Sequence, residues 1–253
     1  MTLAGKVAVV TGVTSEIGQA IAARLASEGA AVAITGNTPA KVEAVAAELK
    51  KSGGKLRVAA LDLSTPEVVE RFFAETAQAL GPVDILVNGA AWRRPHSFLE
   101  TNYDDWRRTF AVCLDSYFLC SLAAARQMVP RRWGRIVHVG SIAGTVLMAP
   151  FSAYTVAKSA IQGLMTAMTC DLAPYGITVN CMPPGVVETR YTLTNLKPNQ
   201  LQRRLDRIPM GRLARPEDCA AAVAHLVSPD MGYITGQTVY VDGGFLNVGS
   251  IAK

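Results

Sequence analysis

KVAVVTGVTSEIGQAIAARLASE, residues 6–28, decides the fold. Residues 6–11 are a short run rich in β-branched side chains closed by Gly12, and residues 16–28 set Ile17, Ala20, Ile21 and Leu25 at helical spacing before Gly29. That is a buried strand, a glycine turn and an amphipathic helix. Working outward, the unit repeats. Residues 30–35, 55–61, 83–88, 135–140 and 176–182 read as further strands, separated by helical segments at 39–51, 66–80, 106–130 and around Tyr154. A helix opening near Pro216 and a last strand at 237–242 complete the pattern, whereas 183–209 is unpatterned and reads as a long loop of the kind that serves as a lid. Alternation of this kind predicts an α/β fold, a doubly wound parallel sheet in a three-layer α/β/α arrangement, as a single domain over 1–253.

Half of the 253 residues are apolar, enough to bury the core of one α/β domain. The net charge of +5 comes from scattered pairs (Arg93-Arg94, Arg107-Arg108, Arg131-Arg132, Arg203-Arg204) with no basic run or interleaved aromatics, so nucleic acid is not expected as a partner. Five cysteines without a C-x-x-C pair point to reduced thiols in a cytoplasmic protein. Residues 1–12 hold neither a signal-peptide pattern nor a span-length segment, and no membrane association is expected. His96, His138 and His225 lack ligand spacing, so no metal is expected either.

The chemistry lies in 141–158. Tyr154 and Lys158 are four apart and share a helix face, so an ammonium can sit beside a phenol and favour its ionised form. Ser141 follows the strand at 135–140, at the end where a doubly wound sheet presents its chemistry. A Ser/Tyr/Lys set that can hydrogen-bond a carbonyl and move a proton to its oxygen suits carbonyl reduction or alcohol oxidation. The turn Thr11-Gly12-Val13-Thr14-Ser15-Glu16-Ile17-Gly18 would let backbone amides and a helix N-terminus approach a pyrophosphate.

Together these residues resemble the short-chain dehydrogenase/reductase family along essentially the whole chain. The matching motifs are T-G-x-x-x-x-I-G at 11–18, Asp62-Leu63, Asn88 with Ala90, Ser141 with Tyr154 and Lys158, Asn180 with the P-G-V-V-E-T run at 184–189, and the G-Q and V-D-G-G pairs at 236–244. The resemblance implies a Rossmann-like fold, a nicotinamide cofactor and a small carbonyl or alcohol substrate. It makes Tyr154 the acid/base, Ser141 the group orienting the substrate oxygen, and Lys158 the group that tunes Tyr154 and holds the nicotinamide ribose. Gly12, Ser15, Ile17, Gly18 and Asn37 would bind the phosphate and ribose end, Asp62 and Leu63 the adenine, Asn88 and Ala90 the middle, and Pro184, Val187 and Thr189 the carboxamide. A homotetramer is implied too, with the helices at 106–126 and 152–173 (Phe110, Leu114, Tyr117, Phe118; Ile161, Leu164, Met165, Met168) offering apolar surface beyond one core-facing stripe.

Three positions depart from the family pattern. Glu16 stands where the middle glycine is usual, Gly89-Ala90-Ala91 replaces Asn-Ala-Gly, and Cys113 takes the place of a helical asparagine that supports a proton relay. Glu16 and Cys113 also leave open a cofactor-impaired relative that only binds a ligand. Cys113 reads first as a small core residue. After the second strand, Thr35-Gly36-Asn37-Thr38 carries no carboxylate to hold a ribose 2′-hydroxyl, and Lys41 is the nearest cation, so the expectation is NADP ahead of NAD. Arg93 and Arg94 read as solvated loop charges, with a cationic edge to the substrate pocket as the second reading. Met148, Ala149, Pro150, Phe151, Tyr191 and Leu193 would supply its apolar walls.

Overall fold

The computed structural model describes residues 2–51, 53–146 and 150–247. Its sheet has six parallel strands in the order β3-β2-β1-β4-β5-β6: β1 (Val7–Thr11), β2 (Ala31–Gly36), β3 (Leu56–Ala60), β4 (Ile85–Asn88), β5 (Gly134–Val139) and β6 (Ile177–Met182). The strand order reverses between β1 and β4. Crossovers leave those two strands in opposite directions, so a crevice opens beyond their carboxyl ends. Every residue of β1, β4, β5 and β6 is buried, the pattern of strands covered on both faces.

One helical layer holds α1 (Glu16–Ser27), α2 (Pro39–Lys50) and, after β6, the helix Pro216–Leu226, whose buried side chains share one cluster with Val10, Ile34 and Val87. The other holds α3 (Pro66–Leu80), a helical run that starts with α4 (Tyr103–Phe110) and continues as α5 (Ser116–Met128), and α6 (Ser152–Leu172). Phe72, Tyr117, Met128 and Ile161 are almost fully buried there, each contributing about 1.5–3 kcal/mol of hydrophobic stabilisation. The run 103–131 is long and apolar enough to cross a membrane by length and composition, yet half of it is buried in the protein, as in a core helix.

Two expectations are corrected and one is refined. The stretch 183–209 is no plain loop: it holds α7 (Arg190–Asn195) and α8 (Pro198–Leu205), so the helix Pro216–Leu226 becomes α9. The helical region expected at 106–130 is present: it starts earlier, capped by the Asn102 side chain, and a π-helical turn, Ala111–Asp115, lies between α4 and α5. The segment 237–242 is not a regular strand. It runs parallel to β6 and to the segment that follows it through isolated bridges (Cys181 of β6 with Thr238, Pro184 beyond β6 with Val241), with Gln237 O accepting from Cys181 N at 2.9 Å.

Candidate active site

Gly12 closes β1 with φ of 75°, a left-handed conformation suited to glycine. A Cβ at Gly12 would land on the Gly89 carbonyl, 2.5 Å from its carbon and 2.7 Å from Ala90 N. The approach is fixed by Thr11, whose Oγ1 accepts from Gly89 N and Ala90 N at 2.9 and 3.3 Å. Small residues at 89–91 therefore serve contact between strand ends. Gly18 is equally crowded, since a Cβ there would lie 2.5 Å from Gly12 O. Both glycines leave a bare backbone cradle at the N-terminus of α1, which fits a pyrophosphate.

Gly12, Asn37, Asp62, Leu63 and Ala90 line one cleft, joined by Thr14, Gly36, Arg108 and Val112, so the structure brings the adenine-end and middle residues together. Asp62 is ion-paired with Arg108 at 2.8 Å and accepts from Ser64 N at 3.1 Å. Partial burial acts to raise its pKa, but the Ser64 and Arg108 hydrogen bonds outweigh that and hold it below the ordinary aspartate value. Other residues sit differently from expectation. The Ser15 hydroxyl is committed to capping, donating to Gly12 O (3.0 Å) and accepting from Gly18 N (3.1 Å). Ile17 packs on the core. The Asn88 side chain lies under the cleft floor, where Nδ2 meets Ser121 Oγ and His138 Nδ1 at 3.1 Å each. Burial first, and then the charge of Lys158, push the pKa of His138 down to about 3, so its ring is neutral.

Glu16 is engaged by a residue distant along the chain. Its Oε2 accepts a 2.8 Å hydrogen bond from the backbone N of Arg190, the first residue of α7. The carboxylate therefore ties the start of α1 to the start of α7, and its charge favours both helix N-termini.

At the other end of the crevice, α6 begins at Ser152 and puts Tyr154 and Lys158 one turn apart, Lys158 almost wholly buried. Lys158 Nζ lies 5.7 Å from the centre of the Tyr154 ring and donates to Val139 O at 2.8 Å and Tyr117 OH at 3.0 Å. Burial alone would lower the lysine pKa, and the phenols of Tyr117 and Tyr154 with the Cys113 thiol raise it by more, so the ammonium is retained. Ser141 starts the 3-10 turn Ile142–Gly144, with its Oγ accepting from Ala143 N at 3.1 Å, and Ala143 packs in one cluster with Tyr154 and Ala157.

Cys113 is buried and bonds both backbone groups of Trp92: the Trp92 N–H donates to its sulfur and the thiol donates to Trp92 O, each at 3.3 Å. A thiol thus offers the donor and acceptor that an asparagine amide would, and burial raises its pKa. Tyr117, which the sequence offers only as one of several apolar residues around its helix, is a further residue of the site. It is fully buried, its hydroxyl accepting from Lys158 and lying 3.1 Å from both Ala90 O and Val139 O, either of which can take its proton. The signal was available: Tyr117 follows Cys113 by four residues on a helical run, one turn along the same face.

Past β6, Pro184 O accepts from Ile142 N at 3.2 Å, Val187 is buried against Ala214, and the Thr189 hydroxyl caps α7. These residues lead the chain from β6 past the Ser141 turn to α7. Arg93 is not a purely solvated charge: its guanidinium lies 3.9 Å from the centre of the Tyr191 ring and 5.9 Å from those of Phe151 and Tyr154. Arg94 lies over Trp92. Met148 and Ala149 lie outside the described residues.

A crevice at the strand-order reversal, a glycine cradle and a buried lysine beside a tyrosine define an oxidoreductase of the dinucleotide-binding type. Comparison with known proteins agrees. A family profile described as enoyl-(acyl carrier protein) reductase matches residues 12–246. The chain is 38% identical over 244 residues to the 3-oxoacyl-(acyl-carrier-protein) reductase FabG of Vibrio cholerae, covering 96% of this chain and 98% of that one. It is 38% identical to a galactitol 2-dehydrogenase (L-tagatose-forming) of Cereibacter sphaeroides, covering 96% of each. A doubly substituted variant of a Serratia marcescens short-chain dehydrogenase/reductase superposes with a TM-score of 0.90 at 37% identity, covering 97% of this chain and 99% of that one. The chain belongs to the short-chain dehydrogenase/reductase family. It is an NAD(P)-dependent oxidoreductase acting between a ketone and a secondary alcohol, and the reading as a cofactor-impaired binding protein is not favoured.

Proposed function

We propose that Tyr154 is the acid/base of this reaction, that Ser141 holds the substrate oxygen, and that NADPH is taken in preference to NADH. The observation that carries the site assignment is the buried Lys158 ammonium beside the Tyr154 ring. A bound nicotinamide supplies or accepts the hydride. In reduction, the Tyr154 hydroxyl gives its proton to the carbonyl oxygen, and the phenolate left behind is stabilised by Lys158, itself oriented by Val139 O and Tyr117 OH. The Ser141 oxygen already accepts from Ala143 N, so its own O–H is available to donate to the substrate oxygen.

The cofactor preference rests on the end of β2. No carboxylate stands there to repel a 2′-phosphate; Asn37 and Lys41 are exposed nearby, and Arg108 lines the same cleft. Fluorescence titration is expected to show tighter binding of NADPH than of NADH. Equal or reversed affinities would overturn the preference, and no binding of either at millimolar concentration would overturn the cofactor site. In the same titration Glu16→Gly should change the affinity by no more than about tenfold, because its carboxylate engages Arg190 N. A hundredfold gain would place that carboxylate against the pyrophosphate.

The reading extends to a cytoplasmic homotetramer acting on a small molecule. Phe118 and Leu122 on α5 and Val156 on α6 are 49%, 38% and 45% exposed, apolar area suited to burial between subunits. Light scattering should give a tetrameric mass at micromolar concentration, and a monomeric mass would reject it.

A further inference from the structure

We propose that Arg93 and Arg204 form an anion-binding subsite at the mouth of the catalytic cleft, so that the ketone or alcohol carries a carboxylate or phosphate a short way from the reacting carbon. This deepens, and rests on, the oxidoreductase reading of the same cleft. Arg93 reaches the site from the segment after β4, over Tyr191 of α7 and close to Phe151 and Tyr154. Arg204 comes from α8. That helix is anchored over the catalytic turn, because Leu201 and Leu205 pack in one cluster with Val186, Ile208 and Ile142, the residue after Ser141.

Arg204 is half-buried, and burial first, then the positive charge of Arg93, depress its pKa. Arg93 is thus held 5.9 Å from the ring centre of the proposed proton donor, and Arg204 projects from the helix that Leu201 and Leu205 pack against the Ile142 cluster. Neither guanidinium has an ion-pair or hydrogen-bond partner among the described residues, and none of the remaining residues has an acidic side chain. Arg93 is exposed, and aromatic rings cover only the face of its guanidinium, which leaves the N–H groups on its edge open to solvent and to an incoming anion. Planar forks of this kind bind carboxylate and phosphate oxygens in bidentate fashion, and one anion between two of them removes their mutual repulsion.

The test is calorimetric titration of the whole protein at constant ionic strength with acetoacetate, its methyl ester and inorganic phosphate. Saturable binding of acetoacetate or phosphate, and none of the ester, is expected, and which anion binds tells carboxylate from phosphate. Arg93→Met and Arg204→Met should each weaken it by about tenfold or more, as loss of a charge-assisted hydrogen bond does, while Arg203→Met leaves it unchanged. Retained NADPH binding certifies that the variants fold. Absence of anion binding in the wild type, or binding indifferent to both substitutions, overturns the subsite; phosphate lodged in the dinucleotide cleft gives that second result. Should a variant not fold, wild-type turnover decides: kcat/KM is expected to favour acetoacetate over its ester, and the opposite order overturns the proposal. Failure of the wild type to bind NAD(P)H would instead reject the cofactor reading, while the anion titration, made without cofactor, still judges the subsite.

Discussion

Tyr154→Phe is expected to lower kcat by about two to four orders of magnitude while leaving NADPH affinity within about threefold, because it deletes a proton donor and almost no volume. The side chain is 8% exposed, packed with Cys113, Ala143 and Ala157, so the phenylalanine ring keeps its bed. Tyr117 is the one phenol that could be thought to substitute, since it also contacts Lys158. It cannot. Its hydroxyl is fully buried, hydrogen-bonded to Lys158 with Ala90 O and Val139 O beside it, and burial drives its pKa upward, which keeps it a neutral hydrogen-bond partner. Tyr117→Phe should therefore cost only about tenfold, the scale of one hydrogen bond to a charged group. Steady-state kinetics with any accepted ketone decides it. More than about a tenth of wild-type turnover in Tyr154→Phe would remove Tyr154 from the role of acid.

The strands were legible because a parallel sheet covered on both faces needs continuous apolar runs, and VAVVT, ILVN and GRIVHV are such runs. The glycine that closes the first of them also pointed to the crevice. What the sequence hid depends on contacts distant along the chain. The orientation of Glu16 is set by Arg190, 174 positions away, and no local pattern records that pairing. Helices α7 and α8 span six and eight residues, too short for periodicity to stand out, and α8 is held by Leu201 and Leu205 against the core. The segment 237–242 loses regular strand geometry because it pairs with β6 only at isolated bridges. The contacts of Tyr117 and Arg93 were hidden for a related reason, although Arg93 is exposed as a loop charge is expected to be. An aromatic residue on a helix and an arginine in a loop each have an ordinary surface role, and only the neighbours Lys158 and Tyr191 separate these two from that role.

Gly12→Ala should be the most damaging single-methyl change in the cofactor cradle. Two costs coincide there. A non-glycine residue at φ of 75° costs about 1–2 kcal/mol, and overpacking a tight site costs about 1–3 kcal/mol more. The atoms in the way are backbone, the Gly89 carbonyl and Ala90 N, which Thr11 Oγ1 pins in place, so no flexible side chain can yield. The total of at least about 2 kcal/mol corresponds to roughly thirtyfold in cofactor affinity, or to a fall in Tm of roughly 4 °C or more if stability absorbs it. Gly5→Ala separates the two costs. Gly5 has nearly the same backbone conformation, φ of 77°, with nothing within 4 Å of the added methyl, so it carries the conformational cost alone. Thermal unfolding and NADPH titration of both variants provide the measurement: Gly12→Ala should exceed Gly5→Ala in loss of Tm, in loss of affinity, or in both. If the two variants match in each, the contact between the ends of β1 and β4 does not constrain the cradle, and the pyrophosphate site must be sought elsewhere in the crevice.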